Sequence, residues 1–231
     1  MDGIAQLGRR HPLYRYDGRG IGLSTLNSPR QPEQSVEDLE AVIDAAGLDQ
    51  VILFGLSEGG KTAIEYAAKH PDRVSHLILY GSFLSADDFP VAAQERWATM
   101  LPLFINGWGA EEPACRQLFT SLFLPDGNRA QNHYFNEMQR ASCDAESAMA
   151  YLMASTMRDV RELARSLDVP TLVFHRQGDL TIPVEAGRKV AETIPNAMLE
   201  ILPGNNHWML ALEDDSEQII EQIEEFVQID C

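Results

Sequence analysis

The sequence predicts an α/β fold with a mainly parallel sheet that is flanked by helices. Short apolar runs alternate along the chain with stretches of helical periodicity, and Gly, Pro or Asp closely follows each run. The runs are apolar throughout, which is typical of strands that are buried on both faces of a parallel sheet. The chain has 231 residues, of which 45% are hydrophobic, so it can bury a sizeable core.

Each apolar run is a predicted strand, and each periodic stretch between them is a predicted helix. Ser35 followed by Asp38 is a capping-box pattern, and Gly47 ends the helix that follows it. The predicted strands are Leu13–Tyr16, Val51–Phe54, Leu77–Tyr80, Leu172–His175 and Met198–Leu202. The other predicted helices are Gly59–His70, Val184–Ile194 and a last one with an inner stripe of Ile219, Ile220, Ile223, Phe226 and Val227.

The stretch between Ser82 and Leu167 interrupts this alternation because it contains no strand pattern. About 85 residues are too many for a connection in a compact domain unless they form structure of their own. We therefore predict a helical cap at residues 83–167, inserted between two parts of the core at residues 1–82 and 168–231. Most of its aromatic residues are expected to form the core of the cap, and a minority to line an apolar pocket that faces Ser57. These residues are Trp97, Phe104, Trp108, Phe119, Phe123, Tyr134 and Phe135.

The net charge and the cysteine content limit which binding partners and which cellular compartment are expected for this protein. The net charge of −17 comes from 35 acidic and 18 basic residues and repels phosphate backbones and anionic lipid surfaces. We therefore expect neither nucleic acid nor a membrane as partner, and no apolar window is long enough for a membrane span. Cys115, Cys143 and Cys231 are an odd number without CxxC spacing, which favours a reducing compartment without disulfides. Because no signal-peptide pattern follows Met1, a cytoplasmic location is expected.

The segment Gly55-Leu56-Ser57-Glu58-Gly59 is a G-x-S-x-G pattern that follows a predicted strand and opens a predicted helix. A serine on such a tight turn is held in strained backbone geometry, with its hydroxyl above the edge of the sheet. Small residues two before and two after the serine are expected because neighbouring Cβ atoms would collide across the turn. The helix directs its free N–H groups and its positive end at the same point. Ser57 is therefore the candidate nucleophile, and the Glu58 backbone N–H is the candidate oxyanion donor.

A nucleophilic serine needs a base, and the base needs an acid to orient it. Both are expected in loops at the C-terminal ends of later strands, in the order Ser, acid, His. Asp179 follows the strand that ends at His175, and His207 follows the strand that ends at Leu202. The sequence therefore predicts a triad of Ser57, His207 and Asp179.

Other histidines and acids are less well placed. Asp87 and Asp88 also follow a strand and are the rival acids, while a packed structural role is expected for His76 and His175. The remaining histidines lie at a helix end, before a strand or within the cap: His70, His11 and His133. The segment Asp17–Gly22 resembles a dinucleotide fingerprint, but its G-x-G-x-G spacing and the missing helix favour a tight loop. No His, Cys and carboxylate cluster has metal-ligand spacing, so we expect neither a metal nor another cofactor.

Taken together, these residues resemble the α/β-hydrolase fold over essentially the whole chain. The segments that carry the resemblance are Tyr16–Ser24, Gly55–Gly60, His70–Val74, Gly178-Asp179 and Asn206-His207. More narrowly, the cap segments Gly107–Gly109 and Cys115–Phe123 are similar to bacterial hydrolase domains fused to adenylate cyclases or to LuxR-type regulators. The resemblance implies a cofactor-free serine hydrolase that acts on esters or related small acyl compounds.

The chain departs from this family at its start. Family members normally have three strands before the Asp-x-Arg-Gly segment, and the loop after the third, often His-Gly, gives a second oxyanion donor. Here only twelve residues precede Leu13, without a His-Gly pair, so the resemblance implies that roughly 40 N-terminal residues are missing. The slot between Leu13–Tyr16 and Val51–Phe54 would then be an open sheet edge. The chain is part of a longer protein, or its first strand pairs directly with the next, or a second chain, as in a homodimer, covers the edge.

Two functional hypotheses follow. In the first, the protein is a serine esterase in which Ser57 attacks, His207 transfers the proton and Asp179 holds the imidazole. Loss of one oxyanion donor typically lowers the rate about 10²–10³-fold, so such an enzyme would be slow. In the second, the chain is a weakly active or inactive hydrolase-like domain that senses a small acyl ligand and regulates a partner.

Overall fold

The computed structural model describes residues 7–9, 11–24, 34–208 and 215–228, with residues 105 and 106 by their backbone alone. Four parallel strands form one sheet in the order β1-β2-β3-β4. They are β1 (Val51–Leu56), β2 (Val74–Tyr80), β3 (Thr171–Arg176) and β4 (Met198–Leu202). The predicted α/β fold with a parallel sheet is confirmed, and these four strands lie where apolar runs predict them.

The strand predicted at Leu13–Tyr16 is wrong. Residues 12–18 have no regular secondary structure, and the Leu13 and Tyr14 side chains are exposed. A strand needs a neighbour for its backbone N–H and C=O groups, but a groove of about 540 Å³ lies between this segment and β1. Direct pairing of the two is thereby contradicted. The outer edge of β1, with Ile52 and Phe54 exposed, has no partner strand within the described ranges.

Helices cover both faces of the sheet, which explains the apolar pattern of its strands. On one face, Leu77 and Leu79 pack with α1 (Gln34–Ala45), α2 (Gly59–Lys69) and α8 (Val184–Thr193). On the other face, Ile78 and Tyr80 pack against α9 (Ser216–Gln228). Successive residues of β2 thus enter opposite cores, as the alternation of a strand requires. All five residues of the predicted stripe on the last helix are buried: Ile219, Ile220, Ile223, Phe226 and Val227.

Between β2 and β3, the described chain forms helices and no strand. They are a 3₁₀ helix (Ala86–Asp88), α3 (Val91–Gly107), α4 (Ala114–Phe123), α5 (Arg129–Ser142), α6 (Ala145–Met157) and α7 (Arg161–Arg165). Phe104, Trp108 and Phe119 form an aromatic cluster in this region, and Phe135 is buried as well. Tyr134 is 70% exposed, so its expected place in the core or at a pocket is wrong. It neighbours Phe135 on an amphipathic helix, where adjacent residues point in different directions.

Candidate active site

The candidate residues lie at the C-terminal edge of the sheet, where backbone pairing continues past the strand ends. The Ser57 N–H donates to Tyr80 O at 2.8 Å, and the Gly81 N–H donates to Phe174 O at 2.9 Å. The loops that follow these strands therefore begin side by side. In open α/β sheets, ligands bind in the crevice outside this edge.

Ser57 lies between β1 and α2 and has a φ of 54°. This left-handed conformation is costly for a residue with a side chain and is typical of functional turns. The tight approach across the turn involves Gly55 and Gly60, because a Cβ on Gly55 would lie 2.6 Å from Gly60 Cα. The prediction that residue 59 must also be small is wrong, because a Cβ on Gly59 would contact nothing within 4 Å. The Ser57 residue itself is partly exposed to solvent.

Asp179 and His207 form a buried pair, as the sequence predicts. His207 Nδ1 lies 2.6 Å from Asp179 Oδ2, and both side chains are 1% exposed. The second oxygen of Asp179 accepts the backbone N–H groups of Thr181 and Ile182 at 2.8 and 2.9 Å. Because a carboxylate can only accept, Nδ1 carries the proton and Nε2 holds the free electron pair of a base. Nε2 is buried and has no hydrogen-bond partner in the part of the chain that the structure describes.

Gly81 connects the nucleophile turn to this pair. It follows Tyr80, which accepts the Ser57 N–H, and a Cβ on Gly81 would lie 2.8 Å from His207 Cε1. Its φ of 56° is also one that other residues rarely adopt. Ser57 therefore lies next to Tyr80 and His207 next to Gly81, the residue that follows it. The absence of a side chain on Gly81 leaves the space that the imidazole occupies.

Arg176 braces the loop that carries His207. Its Nε donates to the Tyr80 hydroxyl at 2.8 Å, and its other nitrogens donate to Pro203 O at 2.7 Å and to Asp215 Oδ1 at 2.9 Å. Pro203 and Asp215 lie on either side of His207 in the sequence. Burial raises the pKa of Tyr80 to about 12, so the hydroxyl that accepts from Arg176 stays neutral at ordinary pH.

The rival acids and His175 have other partners. Asp87 and Asp88 face Arg161, at 3.8 and 3.5 Å. His175 lies behind Asp179, with Nε2 3.7 Å from its Oδ2, and donates to Ile182 O at 2.8 Å. Burial lowers the pKa of His175, which favours the neutral ring of a structural residue.

The other histidines lie in different surroundings. His70 stacks on Tyr66 with ring centroids 4.5 Å apart, and His76 meets Phe226 edge-on at 5.3 Å. His11 and His133 are exposed. The structure thus brings Asp179 to His207 and holds Ser57 at the adjacent turn, while the rival residues keep their own contacts.

Helices of the cap contact the loops that carry Asp179 and His207. The Trp97 Nε1–H of α3 donates to Thr181 O at 3.1 Å, two residues beyond Asp179. At the end of α4, Phe123 O accepts the His207 N–H at 2.9 Å, and its ring meets the imidazole edge-on at 5.3 Å. The cap therefore helps to fix both residues, and Phe123 is one cap aromatic that lies at the site.

Sequence reasoning missed two residues that contact Glu58. The Tyr151 hydroxyl donates to Glu58 Oε2 at 2.7 Å, and Arg158 Nη1 donates to Glu58 Oε1 at 2.6 Å. Glu58 is the N-cap residue of α2 and is buried. A charged residue inside a buried turn needs a partner, so Glu58 itself is the signal that a cation comes from elsewhere in the chain.

Comparison with known proteins places the chain in a family. A family model described as alpha/beta hydrolase fold matches residues 3–214. The chain belongs to the α/β-hydrolase family. The 2-hydroxymuconate semialdehyde hydrolase of Pseudomonas putida is 30% identical to this hydrolase over 204 residues, which are 83% of this chain and 69% of that enzyme.

Solved structures share the fold of this α/β hydrolase. A hydrolase from Oleispira antarctica has a TM-score of 0.83 at 20% identity, over 98% of this chain and 84% of that one. An esterase from Exiguobacterium antarcticum has a TM-score of 0.76 at 24% identity, over 91% and 79%. The family and the sequence relatives support hydrolase activity. The narrower likeness to domains fused to cyclases or regulators stays a prediction, as does the absence of N-terminal strands.

Across the described ranges, no group of three or more His, Cys, Asp and Glu side chains is placed to hold a metal ion. Over the same residues, each helix is too short or too polar to cross a bilayer.

Proposed function

We propose that this α/β hydrolase is a serine hydrolase that cleaves carboxylic esters or related small acyl compounds through an acyl-enzyme. The observation that carries the proposal is the buried Asp179–His207 pair at 2.6 Å. It lies beside the turn of Ser57, a serine with left-handed backbone geometry. A carboxylate that fixes the tautomer of a histidine, beside a partly exposed serine, is the arrangement that activates a serine nucleophile.

In the first half of the reaction, Ser57 Oγ attacks the carbonyl carbon of the substrate. Its proton passes to His207 Nε2, and the imidazolium is stabilised by the Asp179 carboxylate at Nδ1. The negative charge on the carbonyl oxygen is stabilised by the Glu58 N–H and the positive end of α2. When the tetrahedral intermediate collapses, the bond to the alcohol breaks and His207 returns the proton to the leaving oxygen.

In the second half, water replaces the alcohol. His207 Nε2 takes a proton from the water as its oxygen attacks the acyl carbon, and the same oxyanion contacts stabilise the charge. Collapse then releases the carboxylic acid, and the proton returns to Ser57 Oγ. This chemistry needs side chains and water alone, so no cofactor is required. We place it in the cytoplasm, since Cys115 and Cys143 are free thiols.

Turnover of p-nitrophenyl acetate and p-nitrophenyl butyrate tests the proposal. Wild-type protein is expected to release p-nitrophenol, and Ser57→Ala is expected to lower kcat by about 10⁴–10⁶-fold. Ser121→Ala, at an exposed serine of α4, is the matched control and should keep the wild-type rate. Turnover that survives in Ser57→Ala contradicts a nucleophilic role for this serine.

The second candidate is a weakly active or inactive domain that senses a small acyl ligand. The observation that favours it is the outer edge of β1, which has no partner strand among the residues that the structure describes. The family places the strand before the second oxyanion loop at that edge. Such a domain would be thermally stabilised by short acyl ligands in wild type and Ser57→Ala alike, with negligible ester turnover. Turnover that depends on Ser57 excludes it.

A further inference from the structure

A largely buried cluster of four charged side chains lies at the start of α2, next to the Ser57 turn. Glu58 is the N-cap residue of α2, Lys61 and Glu65 lie within that helix, and Arg158 follows α6. Arg158 Nη1 lies 2.6 Å from Glu58 Oε1, and Nη2 lies 3.0 Å from Glu65 Oε1. The Arg158 side chain is 6% exposed, so these charges compensate each other with little help from water.

The position of Glu58 makes its charge relevant to the reaction. Its backbone N–H is the donor that the proposed function gives to the oxyanion, and its carboxylate belongs to the same residue. In a water-poor site an uncompensated carboxylate would repel the oxyanion as that charge develops. A neutralised carboxylate removes this repulsion and leaves the N–H dipole effective.

We propose that Arg158 is a positioning residue of the oxyanion site, which neutralises Glu58 and fixes the peptide that carries the oxyanion donor. The inference rests on the proposed function and adds a residue that does not touch the substrate. The Tyr151 hydroxyl completes the arrangement, because it donates to the second oxygen of Glu58 at 2.7 Å. Both oxygens of the carboxylate are thus held by residues of the cap region.

Lys61 holds the backbone from which Arg158 extends. Its Nζ donates to Arg158 O and to Ser155 O, both at 2.8 Å, and lies 3.9 Å from the ring centroid of Phe83. A fixed backbone lets the guanidinium reach Glu58 with little loss of side-chain freedom on pairing. The start of α2 is thus attached to the end of the cap in two ways. Glu58 pairs with the Arg158 side chain, and Lys61 donates to main-chain oxygens.

The test combines Arg158→Met, Glu58→Gln and the double variant in p-nitrophenyl acetate hydrolysis. Arg158→Met leaves Glu58 without its cation and should lower kcat about 30–100-fold, with KM within about threefold, because the oxyanion exists only in the transition state. Glu58→Gln removes the charge that Arg158 neutralises, and in this background the further change Arg158→Met should lower kcat by at most about threefold. The double variant should recover at least about tenfold over Arg158→Met, since residue 58 then carries no charge and Glu65 alone has lost the arginine.

The pH dependence separates this role from a structural one. As the pH falls, protonation of Glu58 in Arg158→Met removes its charge, while the double variant has no carboxylate at position 58 and the Glu65 carboxylate is common to both. The kcat of Arg158→Met divided by that of the double variant should therefore rise toward one on the acid side. A ratio that is constant with pH, or a double variant no faster than Arg158→Met, overturns the proposal.

Two further variants keep the test decisive if Arg158→Met does not fold. Tyr151→Phe removes one donor to Glu58 without leaving a charge unpaired, and should lower kcat several-fold at constant KM; an unchanged kcat overturns the proposal. Arg161→Met, at an arginine that pairs with Asp159 and Asp88, is the matched control and should leave kcat unchanged.

If wild-type protein itself shows no turnover, the proposed function fails and this inference fails with it. Turnover in wild type that is equal in Arg158→Met overturns the inference alone.

Discussion

His207 Nδ1 and Asp179 Oδ2 lie 2.6 Å apart in side chains that are each 1% exposed. The other oxygen of Asp179 is occupied by two backbone N–H groups of its own loop. The carboxylate therefore cannot turn without losing these bonds, and it presents a single oxygen to the imidazole. This relationship determines which nitrogen of His207 is free to act as a base.

Asp179→Asn should reverse that tautomer while keeping the fold. The loop N–H groups of Thr181 and Ile182 would retain the amide oxygen, so the amide NH₂ would face His207 Nδ1 and donate to it. The proton of the ring would then move to Nε2, and kcat for ester hydrolysis is expected to fall by about 10⁴-fold. Asp88→Asn, at the rival acid that faces Arg161, serves as the control and should keep the rate. A small loss in Asp179→Asn would mean that the acid has been misidentified.

Gly81→Ala should separate activity from stability. The new methyl would lie 2.8 Å from His207 Cε1 and push the imidazole away, and a displacement of about 1 Å can cost 10²-fold in rate. Gly47 has a comparable φ of 66°, but a Cβ there contacts nothing within 4 Å. Both alanine variants should therefore lose about 1–3 kcal/mol of unfolding free energy from the backbone, measured by urea denaturation. Only Gly81→Ala should lose kcat, and equal activity in the two variants would contradict the steric role of this glycine.

The buried Lys61 should make stability depend on alkaline pH. Burial lowers the pKa of Lys61 from 10.5 to about 8, so between these values the unfolded chain binds the proton more strongly than the folded one. The free energy of unfolding of wild type relative to Lys61→Met should therefore rise from pH 8 to pH 10.5, by at most roughly 1.4 kcal/mol per pH unit. Below pH 8 both states carry the proton, and the difference should be constant. Lys189→Met, at an exposed lysine of α8, should show no such slope, and a flat Lys61→Met difference would contradict the shift.

Local pattern was enough to predict the four strands and the three loops of the site. Apolar runs mark β1 to β4 because both faces of each strand are buried, and the turn after β1 is marked by its glycines. Asp179 and His207 are predictable because parallel strands bring their C-terminal loops to one edge. Leu13–Tyr16 has the same local pattern, but a strand also needs a partner, and partners are not encoded in the periodicity of a single segment.

Arg158 and Tyr151 could not be predicted because the way the cap docks is not visible in local spacing. Arg158 is 100 residues from Glu58 in sequence, and Tyr151 is 93 residues away. Glu58 and Lys61 indicate that such partners exist, because two charged side chains at the buried start of a helix need partners. The identity of those partners follows only from the packing of the cap on α2.

The outer edge of β1 leads to a prediction about assembly. Ile52 is 43% exposed there, and an unpaired apolar edge is a surface that pairs with another chain. We predict a homodimer that covers this edge, seen by light scattering or sedimentation, and Ile52→Lys should shift it to the monomer. Leu118→Lys, at a similarly exposed leucine of the cap, should leave the dimer intact. A wild-type monomer at all concentrations would contradict the prediction.

The most direct test of the proposed nucleophile is covalent labelling by a fluorophosphonate probe, with the modified residue located by peptide mass spectrometry. We expect wild-type protein to be labelled at Ser57 and the Ser57→Ala variant to remain unlabelled. Because His207 is the proposed base that activates the hydroxyl, the labelling rate should fall by at least about 10³-fold in His207→Ala. Labelling at another residue, or a rate that is unchanged in His207→Ala, would contradict the triad.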